Sequence, residues 1–171
     1  MLPGIGDSGP QHWQTLWEAR NPVFRRVIQR DWDHPVCAEW AIALEQAVAG
    51  AGAGAVLVAH SLGALLATHW AAATKLRIKA ALLVAVPDPA GPAFPVEAEG
   101  FVVTRRPLPF RSIVVASRND PYARFAWSQA CAAAWGSELV DIGDAGHINA
   151  ASGFGEWPQG QALLRRLIAV A

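Results

Sequence analysis

Charge is scarce in this sequence. Asp, Glu, Lys and Arg make up 16% of the 171 residues, and fourteen basic side chains are matched by fourteen acidic ones. So balanced a chain has no general electrostatic affinity for nucleic acid or for an anionic membrane surface, and neither is expected as a partner. Cysteine is scarcer still, with only Cys37 and Cys131. Neither belongs to a CxxC or Cys/His ligand spacing, so buried free thiols are expected, with no metal and no cofactor. No apolar run is long and uninterrupted enough to span a bilayer. Met1-Leu2 leads straight into Pro3-Gly4 with no secretory leader, which makes a cytoplasmic protein the default. What the chain does have is apolar content, 53%. That suffices for a globular fold, and the length fits one domain over residues 1–171 that buries roughly 70% of its extended-chain surface.

The most informative stretch is Ala55-Val-Leu-Val-Ala-His-Ser-Leu-Gly63. An apolar, Val- and Leu-rich run ends at His60-Ser61, and a helical pattern from Leu62 to about Thr74 begins at once. This is the layout of a nucleophile elbow, a serine on a tight strand-to-helix turn. The serine takes a strained backbone conformation that presents its oxygen above the sheet. Strand and helix are expected to pass closely at the positions two before and two after it, here Ala59 and Gly63. A buried strand followed by a Ser-capped helix fits the same stretch equally well when it is taken alone.

The remaining elements alternate. The N-terminal Pro3–Gly9 segment is loop chemistry with three glycines, after which Pro10 can open a helix carrying Trp13, Leu16 and Trp17 on one face. Residues 24–30 read as a short strand, and Pro35 starts a helix with Cys37, Trp40, Leu44 and Val48 at helical spacing. Residues 80–86 form a near-continuous apolar strand, typical of a parallel sheet covered on both faces. A Pro-rich irregular stretch, about 87–111, is long enough to be functional; a short helix within it and a wall of the substrate pocket are both open readings. Residues 112–117 are the next strand, then a helix that Asp120-Pro121 can cap and open. Residues 138–142 are the last strand and Pro158–Ala169 the last helix. The fold class is therefore α/β, an open parallel sheet with helices on both faces.

Ligands of such sheets bind at the carboxyl ends of the strands. Ser61, Asp120 and His147 each fall just past the end of a different strand, in the chain order Ser, Asp, His of α/β-hydrolases. Asp88, after an earlier strand, is the second choice for the acid. Asp144 lies on the same loop as His147 and is expected to shape it.

Four stretches carry a family likeness: Leu2-Pro-Gly-Ile-Gly-Asp-Ser-Gly-Pro-Gln-His-Trp-Gln14, Ala59–Gly63, Ala116-Ser-Arg-Asn-Asp-Pro-Tyr122, and Gly146-His-Ile-Asn-Ala-Ala-Ser-Gly-Phe-Gly155. With these the chain resembles the small serine hydrolases of the retinoblastoma-binding-protein-9 and YdeN type, compact α/β-hydrolases without a full cap domain. The resemblance implies Ser61 as nucleophile, His147 as base and Asp120 as acid. It also implies an oxyanion hole from the Pro3–Gly6 turn, with Ile5 and Gly6 as donors, and from the Leu62 N–H. Hydrolysis of a small acyl ester, thioester or amide through an acyl-enzyme follows from those parts. Trp13, Tyr122, Phe154 and Trp157 lie in neighbouring segments and are the expected apolar or aromatic acyl pocket. A non-catalytic binding or regulatory protein on the same fold is the alternative. A dehalogenase is excluded, because that reaction needs a carboxylate at the elbow.

Two departures from the family pattern stand out. Pocket-protein binding through Leu-x-Cys-x-Glu is not carried over, because Pro35-Val-Cys-Ala-Glu39 has Pro in the Leu place. The strand that should precede the Pro-Gly turn is reduced to Met1 and Leu2. The expectation is a native start several residues earlier, or a chain that is poorly stable and weakly active as written.

Overall fold

A computed structural model describes all residues, 1–171. Four strands, β1 (Val56–His60), β2 (Ala80–Val84), β3 (Arg111–Ala116) and β4 (Glu138–Asp141), form one open sheet in the order β1-β2-β3-β4, every pair parallel. Five helices surround it: α1 (Trp13–Arg20), α2 (Cys37–Ala51), α3 (Leu62–Ala73), α4 (Phe125–Trp135) and α5 (Pro158–Ala169). The two-residue period of the strands sorts their side chains to two faces. Leu57, Ala59, Ala81, Leu83 and Val114 join a core with Trp40, Leu44, Leu65, Leu66, Cys131 and Trp135 from α2, α3 and α4. Val58, Ala80, Leu82, Val84, Ile113 and Val115 join a second core with Trp13, Trp17, Trp157, Leu164 and Leu167. No helix is long and apolar enough to cross a membrane.

The first-strand slot is filled by very little chain. Leu2 makes an isolated parallel bridge to Ala59, donating its N–H to Val58 at 2.9 Å and accepting from the His60 N–H at 2.9 Å. On its far side Met1 accepts the Val27 N–H at 3.0 Å, and its amino group donates to the Arg25 carbonyl. Met1 and Leu2 thus cover the last residues of β1 on that edge, through one bridge. The expected strand at 24–30 does not form: the segment is extended, with Val27 and Gln29 buried and Ile28 and Arg30 exposed, but it carries no ladder. Only Met1 and Leu2 lie beside it, too few for repeated pairing.

Two smaller expectations change. Helix α4 starts at Phe125 rather than Pro121, because the Asp120 carboxylate accepts the Tyr122 N–H in a local turn of its own. The 87–111 stretch holds turns but no helix. It is tied down at Glu99, which exchanges backbone hydrogen bonds with Pro35 and Cys37, and at Thr104, whose carbonyl accepts the Trp135 indole N–H.

Candidate active site

Ser61 stands between β1 and α3 with φ 53° and ψ −124°. A positive φ at a residue with a side chain is strained and survives only where its surroundings enforce it. Here the Ser61 N–H is bound to the Val84 carbonyl at 3.0 Å, and its carbonyl accepts from Ala64. The small residue two after the serine has a reason other than strand–helix contact. A Cβ at Gly63 would lie 2.3 Å from the Leu2 carbonyl oxygen and 2.6 Å from that of Pro3. A Cβ at Gly4 would lie 2.8 Å from the Ser61 Cβ. The two glycines let the Leu2–Gly6 turn close over the serine.

His147 arrives from the loop after β4. Its Nε2 lies 3.0 Å from Ser61 Oγ, and its Nδ1 lies 3.0 Å from both carboxylate oxygens of Asp120. An ionised carboxylate only accepts, so the ring proton sits on Nδ1 and the Nε2 lone pair faces the serine hydroxyl. The Asp120 side chain is 3% exposed. Asp88 is elsewhere: its carboxylate accepts the Ala90 N–H. The His147 loop is pinned from several directions. Ser152 Oγ accepts the His147 N–H, Asn119 Oδ1 accepts the Gly146 N–H, and Ser117 Oγ accepts the Ala145 N–H. The Trp13 indole donates to the Ile148 carbonyl at 2.9 Å, and His60 Nε2 donates to the His147 carbonyl at 2.8 Å.

Backbone donors face the same space. The N–H groups of Ile5 and Leu62 have no acceptor in the protein, Leu62 because it opens α3. Gly6 does not fit the role expected of it, since its N–H is committed to the Trp32 carbonyl at 2.8 Å.

Together these groups border a cavity of about 150 Å³ that also touches His12, His60, Tyr122 and Asn149. Its lining mixes polar side chains such as His12, His60 and Asn149 with apolar Ile5, Leu62, Pro87 and Pro95, so a small mixed pocket stands in place of the expected apolar or aromatic one. Tyr122 lines it, its ring 4.4 Å from that of His147. Trp13, Trp157 and Phe154 do not. Trp13 and Trp157 are 0% and 4% exposed and pack with Trp17 behind the His147 loop, and Phe154 sets its edge against Trp157. Their large apolar rings remove more surface from water in the core than at a polar rim.

Sequence reasoning assigned no role to His12 or to His60. The signal available was position: His60 immediately precedes the elbow serine, and His12 stands where α1 is capped. Their rings, with that of His147, form a row at 4.8 Å centroid spacings. Burial, then the Arg26 charge and the neighbouring His147, pushes His12 down to about 4; burial, then His147 and His12 on either side, holds His60 well below the usual histidine range. Both are therefore neutral near pH 7. No three His, Cys, Asp or Glu side chains are grouped so as to hold a metal ion.

The parallel sheet and a serine elbow at its carboxyl edge define an α/β-hydrolase. More specifically, the chain belongs to the serine hydrolase family, whose model matches residues 1–166. Among solved structures it is similar to one described as a YdeN-like hydrolase from Pectobacterium atrosepticum, at 36% identity and TM-score 0.90 over 99% of this chain and 89% of that one. The ydeN gene product of Bacillus subtilis shares the fold at 20% identity, TM-score 0.81, covering 97% and 95% of the two chains. The carboxylesterase CesB of Bacillus subtilis shares it at 12% identity, TM-score 0.61, covering 95% and 85%. No curated protein matches the chain significantly.

Proposed function

We propose that this serine hydrolase cleaves small acyl esters through a Ser61–His147–Asp120 triad and an acyl-enzyme. The observation that carries the reading is the unbroken run of hydrogen bonds from Ser61 Oγ through both ring nitrogens of His147 to Asp120, each 3.0 Å. His147 Nε2 takes the hydroxyl proton as Ser61 Oγ attacks the acyl carbonyl. Asp120 holds the proton on Nδ1 and stabilises the imidazolium that results. The free Ile5 and Leu62 N–H groups receive the negative charge that develops on the carbonyl oxygen. His147 then protonates the departing alcohol, and a water, activated by the same nitrogen, releases the acid. The cavity beside Ser61, about 150 Å³, is small for a ligand site, which favours short acyl groups. The partner is a small acyl compound, and the two buried free thiols, Cys37 and Cys131, suit a reducing cytoplasm.

The test is hydrolysis of a series of para-nitrophenyl esters of increasing acyl length. The expected outcome is turnover that is highest for short chains and falls about 10⁶-fold in Ser61→Ala. Turnover that survives in Ser61→Ala would overturn the assignment.

A further inference from the structure

Three buried side-chain atoms in the molecule have no hydrogen-bond partner, and His12 Nε2 is the one that belongs to a residue lining the cavity. His12 is 6% exposed. Its other nitrogen, Nδ1, accepts the Gln14 N–H at 3.2 Å and so caps α1. A neutral imidazole that accepts through Nδ1 carries its hydrogen on Nε2. Nε2 itself has almost no exposed surface, so an acceptor in the cavity reaches it through a small shift of the ring. The ring lies edge-on to His60 at 4.8 Å and tilted against Trp13 at 5.2 Å between centroids. A buried N–H without an acceptor is costly, so the fold keeps it at a loss unless something that enters the cavity accepts from it.

The oxyanion does not need this donor, because the Ile5 and Leu62 N–H groups are free for it. The acyl group is the other part of a substrate that must lie in the small cavity beside Ser61, since the alcohol leaves. We propose that His12 Nε2–H donates a hydrogen bond to an acceptor atom carried by the acyl group, so that the preferred substrates are esters of short, oxygen-bearing acids rather than of hydrocarbon acids. This deepens the reading of Ser61 as nucleophile and rests on it. A purely hydrocarbon acyl group would leave the donor unpaired in the complex, and a site built to bond a polar atom discriminates strongly against an analogue that lacks it.

Two isosteric substrates separate the cases: para-nitrophenyl methoxyacetate, with an ether oxygen in its acyl chain, and para-nitrophenyl butanoate, with a methylene in the same place. The kcat/KM ratio of the pair, divided by the ratio of their rates with hydroxide, is expected to favour methoxyacetate about 10-fold in the wild-type protein, the worth of one hydrogen bond. His12→Asn keeps an acceptor for the α1 cap and is too short to place a donor at the Nε2 position. It should bring the normalised ratio to near one. His12→Gln, which returns an amide N–H near the Nε2 position, should recover part of it. A wild-type ratio near one overturns the proposal without any variant having to fold. So does a His12→Asn protein in which both esters slow by the same factor, which would put the donor on the oxyanion or in the fold. Failure of the underlying reading is distinct: neither ester would be turned over by the wild-type protein, and the proposal would fall with it.

Discussion

The loop that carries His147 has two sides, and they are built from opposite materials. Its front faces the cavity where Ser61, His12, His60 and Asn149 meet beside the free Ile5 and Leu62 N–H groups. Its back rests on Trp13, Trp17 and Trp157, rings stacked or edge-on within 4.8–6.0 Å of one another. Trp13 joins the two sides, buried in the apolar cluster while its indole N–H holds the Ile148 carbonyl next to His147. The difference teaches where each job is done. Chemistry needs fixed dipoles and a lone pair in reach of a hydroxyl. Fixing them takes bulk that excludes water and leaves the loop no second position.

If the two sides do separate jobs, variants on them should fail differently. On the front, Asp120→Asn should cost on the order of 10⁴ in turnover, through loss of the His147 tautomer, with the melting temperature changing little by comparison. Asp88→Asn, at a carboxylate that bonds the Ala90 N–H and not His147, should cost far less. The comparison breaks if Asp88→Asn is the more damaging in a steady-state assay.

The next effect is on stability and belongs to the imidazole row. His12 binds its proton at about 4 in the folded protein and near 6.5 when unfolded. Between those values the unfolded chain holds more protons, so stability rises with pH there. The contribution is complete above about pH 6.5 and is lost as pH falls toward 4. For His12 this is on the order of 3 kcal/mol, and His60, shifted the same way, adds to it. Urea unfolding at pH 7 and pH 4.5 should show the loss, and His12→Asn should reduce the difference. Equal stability at both pH values would contradict the buried, neutral state of the row.

On the back, Trp13→Phe removes the N–H to Ile148 while keeping an aromatic ring. It should destabilise by about 1–3 kcal/mol, a few degrees in melting temperature per kcal/mol, and lower turnover by less than the Asp120 change. A rate loss as large as that of Asp120→Asn, with unchanged stability, would place Trp13 on the front after all.

Much of the front was legible in the sequence, because its signals are local. Ser61 follows a buried run and opens a helix without a turn between, and Asp120 and His147 each lie in the loop just past a strand. The back was not legible. Trp13 and Trp157 are 144 residues apart in the chain, and nothing near either one says whether it meets a substrate or a second indole. Gly6 shows the same limit on a smaller scale. A Gly-rich turn advertises free N–H groups, but only the position of Trp32 reveals that one of them is taken. The 24–30 segment has the alternation of a strand and lacks the ladder, because pairing depends on the neighbour and not on the segment. His12 was hidden for another reason: one nitrogen performs an ordinary helix cap, and the function proposed for it lies in the other.

The central claim is that Ser61, aligned by His147, is the nucleophile of this hydrolase. Labelling with a fluorophosphonate probe followed by peptide mass mapping tests it most directly. A single adduct is predicted, on the peptide that contains Ser61, absent from Ser61→Ala and strongly slowed in His147→Gln. An adduct on another serine, or labelling at full rate in either variant, would contradict the account.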